Sequence, residues 1–135
     1  MTNNYKFVLI DDVKVNNFIT GMVIKKVYPD IDVVSFTDAQ SGLEFVRENG
    51  GDSSDETKLL VLLDIYMPVM NGWDFLREYG FCGDEVHSQV KIWLLSSSIS
   101  KADMNRSKEY ASVLGYAIKP LTEESLREMM KHEIT

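Results

Sequence analysis

Five short apolar runs punctuate the chain: Tyr5–Ile10, Asp32–Phe36, Leu59–Leu63, Val90–Leu95 and Gly115–Ile118. Their lengths suit strands, and Leu59–Leu63, apolar without alternation, suits a strand buried on both faces. Helical spacing fills the intervals. Val15, Phe18, Ile19, Met22, Val23 and Val27 recur as one stripe from Val13 to Val27, predicting a helix that lies on a sheet through those residues. Ala39, Leu43 and Val46 mark a second helix, and Trp73, Leu76 and Tyr79 a third over Asn71–Tyr79, ended by Gly80, Gly83 and Asp84. Lys101–Ser112 reads as a weakly amphipathic helix with few apolar anchors, and Thr122 caps a last helix with Leu126, Met129 and Met130 inward. Strand then helix, five times, points to an α/β fold: a parallel sheet covered on both faces.

The stretch Asn49–Thr57, NGGDSSDET, has no apolar residue and is expected to be a mobile surface loop. It is no domain boundary, because the halves would be too small for separate cores, so residues 1–135 are expected to form a single domain. A formal charge of -7 and the lack of any basic run argue against nucleic acid as a partner. The apolar runs are too short to span a membrane, the N-terminus lacks a signal-peptide pattern, and one cysteine, Cys82, excludes an intrachain disulfide. These features together point to a cytoplasmic protein.

Chemistry enters where the strands end. The first run ends in Asp11 and Asp12, the third in Asp64, the fourth in Ser96–Ser98 and the fifth in Lys119 and Pro120. Open parallel sheets bind ligands beyond the carboxyl ends of their strands, so these side chains are candidates for chemistry. A capping role for Asp64 is the weaker reading, since the helix signal starts only after Pro68 and Asn71 is the better cap. Carboxylates about 4 Å apart repel by about 4 kcal/mol at an effective dielectric near 20, a cost that a divalent cation removes. Hard oxygen ligands without His or Cys fit Mg2+, which pairs with phosphoryl groups. His87, His132 and Cys82 lack the spacing for metal or triad chemistry, and Trp73, Trp93 and the methionines read as core.

The DD pair, LLDIYMPVMNG, LLSSS and YAIKP, in this order on successive strand ends, resemble the receiver domains of two-component response regulators over essentially the full length. The resemblance implies a flavodoxin-like (βα)5 doubly wound sheet of order 2-1-3-4-5, similar to stand-alone chemotaxis-type regulators. It implies that Asp64 accepts a phosphoryl group from a sensor histidine kinase or phosphotransfer protein, and that the chain then switches a downstream protein target. Asp11, Asp12, Asp64 and the backbone carbonyl of Tyr66 would hold Mg2+. Lys119 and the Ser96 hydroxyl would bind phosphoryl oxygens, and Tyr116 would follow Ser96 inward, shifting the Lys101–Ser112 helix and the fifth strand. A cis bond between Lys119 and Pro120 also follows from the resemblance.

The alternative is a Mg2+-dependent phosphohydrolase that uses Asp64 as nucleophile. That class resembles a motif with a second Asp two residues on, where this chain has Tyr66, a poor acid or base near neutral pH. The chain is therefore expected to be a regulatory phosphoacceptor and not an enzyme in its own right. A degenerate binding domain is disfavoured by retention of all the site residues, and neither a Walker loop nor a dinucleotide glycine fingerprint occurs.

Overall fold

The most apolar run forms the centre of the sheet. In the computed structural model, which describes residues 4–51 and 57–131, β3 (Lys58–Leu63) lies between β1 (Tyr5–Ile10) and β4 (Val90–Ser96). The edges are β2 (Asp32–Phe36) and β5 (Val113–Ile118), giving five parallel strands in the order β2-β1-β3-β4-β5. Leu59, Val61 and Leu63 pack into one core and Leu60 and Leu62 into the other. Each of these side chains contributes roughly 1.5–3 kcal/mol by burial, which explains why the run shows no alternation.

The helices are α1 (Lys14–Val27), α2 (Ala39–Gly50), α3 (Gly72–Tyr79), α4 (Asp84–Gln89), α5 (Lys101–Ser107) and α6 (Glu123–Met130). Ile24 of α1 and Leu126, Met129 and Met130 of α6 cover one face; α2, α3 and α4 cover the other. The expected caps are present. Asn71 accepts the Asp74 N–H at 2.9 Å while the Asp74 carboxylate accepts the Asn71 N–H at 3.0 Å, a capping box, and Thr122 Oγ1 accepts the Ser125 N–H at 3.0 Å. Asp64 is thus free of capping duty at α3. The Lys119–Pro120 bond is cis.

Four expectations need correction. The apolar stripe of α1 faces outward: Val15, Phe18, Ile19 and Met22 are exposed, Phe18 by 66%, while Asn17, Thr20 and Ile24 are buried. The cause is Asn17, whose side-chain amide donates to the carbonyls of Asp11 (3.0 Å) and Phe36 (3.1 Å) and thereby sets the rotation of the helix. Val23 and Val27 alone of the predicted stripe pack against the core. Second, the segment after α3 is not merely a break but contains α4, whose Val86 packs beside Gly50 and Gly51 at the C-terminal end of α2. Third, α5 ends at Ser107; the N–H groups of Lys108 and Glu109 turn back to the carbonyls of Asn105 (3.1 Å) and Arg106 (3.0 Å) in tighter bonds. Fourth, β5 begins at Val113, two residues earlier than predicted, and α2 runs to Gly50, so the expected loop loses its first residues while 52–56 fall outside the described residues.

Candidate functional site

The site is built from residues one step beyond the strands. Asp11 N–H donates to Phe36 O (3.1 Å), Asp64 N–H to Ile10 O (2.9 Å) and Lys119 N–H to Ser96 O (2.9 Å), so the ladder runs on into the functional residues. Their backbones are therefore fixed by the sheet, and their side chains emerge at its carboxyl edge. The Asp11, Asp12 and Asp64 carboxylates offer oxygens that all lie within 4.8 Å of one another. Asp11 and Asp64 are 6% and 7% exposed, and Asp12 is half-buried.

Lys119 crosses β4 to meet them. Its ammonium donates to Asp11 Oδ2 and lies 3.2 Å from Asp64 Oδ1. Burial pushes the Asp64 carboxyl above the ordinary carboxylate value; Lys119 opposes the rise, and Asp11 adds to it. Backbone donors complete the anion cradle, Ile65 N–H to Asp64 Oδ1 and Val13 N–H to Asp11 Oδ1, both at 2.9 Å. All-oxygen donors in a partly open acidic cluster fit a hard divalent cation such as Mg2+. Val69, with φ of 69°, places a β-branched residue in the left-handed region on the loop that follows Asp64, a strain of the kind found at ligand sites.

A second group of contacts surrounds the serines. Ser96, 1% exposed, accepts the Ser98 N–H on its hydroxyl at 3.1 Å. The Ser98 hydroxyl donates to Asp103 Oδ2 (2.7 Å), and the Ser98 carbonyl accepts the Tyr116 hydroxyl (2.8 Å). The Tyr66 hydroxyl donates to the same Asp103 oxygen at 2.6 Å. Those two hydrogen bonds hold the Asp103 carboxyl below the ordinary carboxylate range, and the bond to Asp103 raises the Tyr66 phenol. Beneath them, Arg106 of α5 lies 4.5 Å over the Trp73 ring, on which Tyr110 stacks at 5.7 Å. The weak apolar pattern of α5 thus conceals polar and cation–π anchors.

The structure brings Asp11, Asp12, Asp64 and Lys119 into one pocket and places Ser96 at the next strand end, with Tyr66 and Tyr116 both tied to the Ser98–Asp103 group. Sequence reasoning missed Asn17, Gly72 and Asp103. A Cβ at Gly72 would come within 2.6 Å of Asp64 O, and Gly72 N–H donates to Ile65 O at 2.7 Å, so the glycine lets α3 press against the backbone that carries Asp64. Asn17 and Gly72 could have been suspected as a polar residue and a glycine beside the strand-end carboxylates. Asp103 left no signal beyond its place in the first turn of a helix.

The comparisons agree with this geometry. The family model described as the response regulator receiver domain matches residues 7–131. Stress response regulator protein 1 of Candida tropicalis is 30% identical over 109 residues, 78% of this chain and 37% of that protein. The chain therefore spans little more than a third of this curated relative. A response regulator receiver protein from Dyadobacter fermentans superposes with a TM-score of 0.84 at 25% identity, over 95% of this chain and 96% of that one. A two-component response regulator from Cytophaga hutchinsonii matches with a TM-score of 0.84 at 23% identity, over 95% of both chains, and supports the fold alone. With the receiver model matched over residues 7–131 and the strand order and acidic pocket in place, this chain belongs to the response regulator receiver domain family.

Proposed function

We propose that the chain is a phosphoacceptor that receives a phosphoryl group on Asp64 from a phosphohistidine of a kinase or phosphotransfer protein. The observation that carries the reading is the Asp64 carboxylate at a strand end, with Asp11 and Asp12 oxygens within 4.8 Å and the Lys119 ammonium at 3.2 Å. In the step, an Asp64 oxygen attacks phosphorus and the P–N bond of the phosphohistidine breaks. Its electron pair leaves with the imidazole nitrogen, which takes up a proton from water. Lys119 meets the growing negative charge, and the Ser96 hydroxyl turns to a phosphoryl oxygen. When bound, Mg2+ held by Asp11, Asp12, Asp64 and the Tyr66 backbone carbonyl supplies positive charge against the phosphoryl oxygens.

Phosphorylation adds about -1.5 to -2 charge at a pocket edge whose loops carry Ser96 and Tyr66, a reason for those loops to rearrange and for a protein partner to tell the two states apart. The phosphoryl donor docks on the exposed apolar face of α1. That face adjoins the pocket, for Asn16, Ile19 and Thr20 line a cleft of about 260 Å³ together with Ser97, Lys119 and Pro120. The phosphohydrolase reading lacks a second acid or base: Tyr66 holds that position with a raised phenol engaged on Asp103. Incubation with a phosphorylated histidine kinase and Mg2+ tests the proposal. A label released by hydroxylamine, as an acyl phosphate is, supports it, and a label resistant to hydroxylamine contradicts it.

A further inference from the structure

Asp103 lies outside the carboxylate cluster, yet it ties together three segments of the chain. It is 8% exposed, and its Oδ2 accepts the hydroxyls of Tyr66 and Ser98 at 2.6 and 2.7 Å. Tyr66 stands two residues after Asp64, on the loop after β3; Ser98 stands two after Ser96, on the loop after β4. Its own N–H donates to Ser100 Oγ, the cap of α5, at 3.3 Å. One carboxylate oxygen therefore joins two loops to the first turn of a helix. Ser98 extends the junction, since its N–H donates to Ser96 Oγ and its carbonyl accepts Tyr116. Tyr66 itself is largely solvent-exposed, so little but this bond fixes where its ring lies.

We propose that Asp103 is a positioning residue: by holding the Tyr66 phenol and the Ser98 hydroxyl on one oxygen, it makes the Tyr66 ring, the Ser96–Ser100 loop and the first turn of α5 open as one unit. Two hydrogen bonds to an ionised acceptor are short and strong compared with neutral ones, and loss of either partner leaves the other loop untethered. Arg106, on the same helix, lies over the Trp73 ring, whereas the phenol and the hydroxyl bond the Asp103 carboxylate directly. The proposal's consequence rests on the phosphoacceptor reading. When the Ser96 hydroxyl turns to a phosphoryl oxygen it abandons the Ser98 N–H, and the strain passes through Ser98 to Asp103 and so to Tyr66 at the pocket mouth. Retention of the phosphoryl group and the state of α5 are thereby tied together.

The test is a double-mutant cycle on the unphosphorylated chain, read by amide exchange of residues 101–107 and 66–67. Tyr66→Phe keeps the ring and removes the hydroxyl; Asp103→Asn keeps the shape and removes the charge. Each is expected to speed exchange in both segments about tenfold, with the double variant no faster than either alone. Exchange faster only in the mutated segment, or effects that multiply in the double variant, would overturn the coupling. A second readout is the NMR signal of the Tyr66 ring, which is expected to shift toward that of a freely moving tyrosine in Asp103→Asn; an unchanged ring signal overturns the contact itself. Neither measurement involves phosphorylation, so both stand if Asp64 proves not to be the acceptor. In labelled protein the two single variants are expected to change the phosphoryl half-life by the same factor, and unequal factors would overturn the link to retention.

Discussion

The Lys119 ammonium stands 3.2 Å from Asp64 although a whole strand, β4, separates the strands from which they come. It is the described cation that bonds both Asp11 and Asp64 in the carboxylate cluster. Lys119→Met keeps the apolar stem and removes the charge, so metal-free protein is expected to lose about 1–3 kcal/mol of stability, part of which Mg2+ restores. Urea unfolding with and without Mg2+ checks this; equal losses in both conditions would mean that Lys119 does not compensate the carboxylates.

Asp64 gives stability a definite pH dependence. Its carboxyl titrates above the ordinary value in the folded chain, so between the two values the folded state binds more protons than the unfolded state. Its contribution therefore falls as pH rises across that interval. Asp103 has the opposite sign: its carboxyl is held low, so its contribution is present above the ordinary value and lost as pH falls through the lowered one. Asp64→Asn is expected to remove the first effect and raise the metal-free Tm by a few degrees near neutral pH. Thermal unfolding across pH decides, and a lower Tm in the variant would contradict the stated balance of burial against Lys119.

Metal binding is expected to offset the same cost. At about 100 times its dissociation constant, Mg2+ adds about 2.7 kcal/mol to the native chain. Asp12→Ala removes a hard oxygen ligand and should shift the midpoint of the Tm response to higher Mg2+ concentration. An unchanged midpoint would remove Asp12 from the ligand set.

The outward face of α1, proposed as the docking face, allows docking to be tested apart from stability. Phe18→Ser is expected to change stability by no more than about 0.5 kcal/mol, while Asn17→Ala costs about 1–3 kcal/mol by removing the amide donor from the Asp11 carbonyl. Phe18→Ser should also raise the KM for the phosphorylated kinase and leave the reaction with acetyl phosphate unaltered. Equal slowing with both donors would show that α1 is not the docking face.

Gly72 is expected to be sensitive for its closeness to Asp64. A methyl group at Gly72 must displace the backbone of Asp64 and Ile65, which costs about 1–3 kcal/mol and disturbs the pocket. Gly72→Ala should therefore lower Tm and weaken Mg2+ binding together, whereas Gly83→Ala, where nothing lies within 4 Å of the added methyl, should do neither to that degree. Two equivalent variants in the Mg2+ titration would remove the structural reason given for Gly72.

The burial of β3 and the strand-end candidates were legible because both faces of that strand must be apolar and because a carboxylate, a hydroxyl and a lysine each follow an apolar run, whereas the strand order was implied by the family resemblance and not by the apolar pattern. Those signals are local in sequence. The rotation of α1 was not legible, since its most regular stripe faces solvent and a single amide, Asn17, overrides it through carbonyls six and 19 residues away. Nor was the anchoring of α5: Arg106 on Trp73, and Asp103 on Tyr66 and Ser98, are long-range polar contacts to which an apolar period is blind. The six-residue helix α4 is too short to show a period at all.

The central claim is that Asp64 is the acceptor. The most direct measurement is mass mapping of the phosphorylated chain after borohydride reduction, which converts an aspartyl phosphate to homoserine, on the native chain and on Asp64→Asn after reaction with a phosphorylated donor and Mg2+. Homoserine at position 64 of the native chain, and loss of the label in the variant, is the predicted result. Label mapped to another residue of the native chain, or undiminished in Asp64→Asn, would contradict the account.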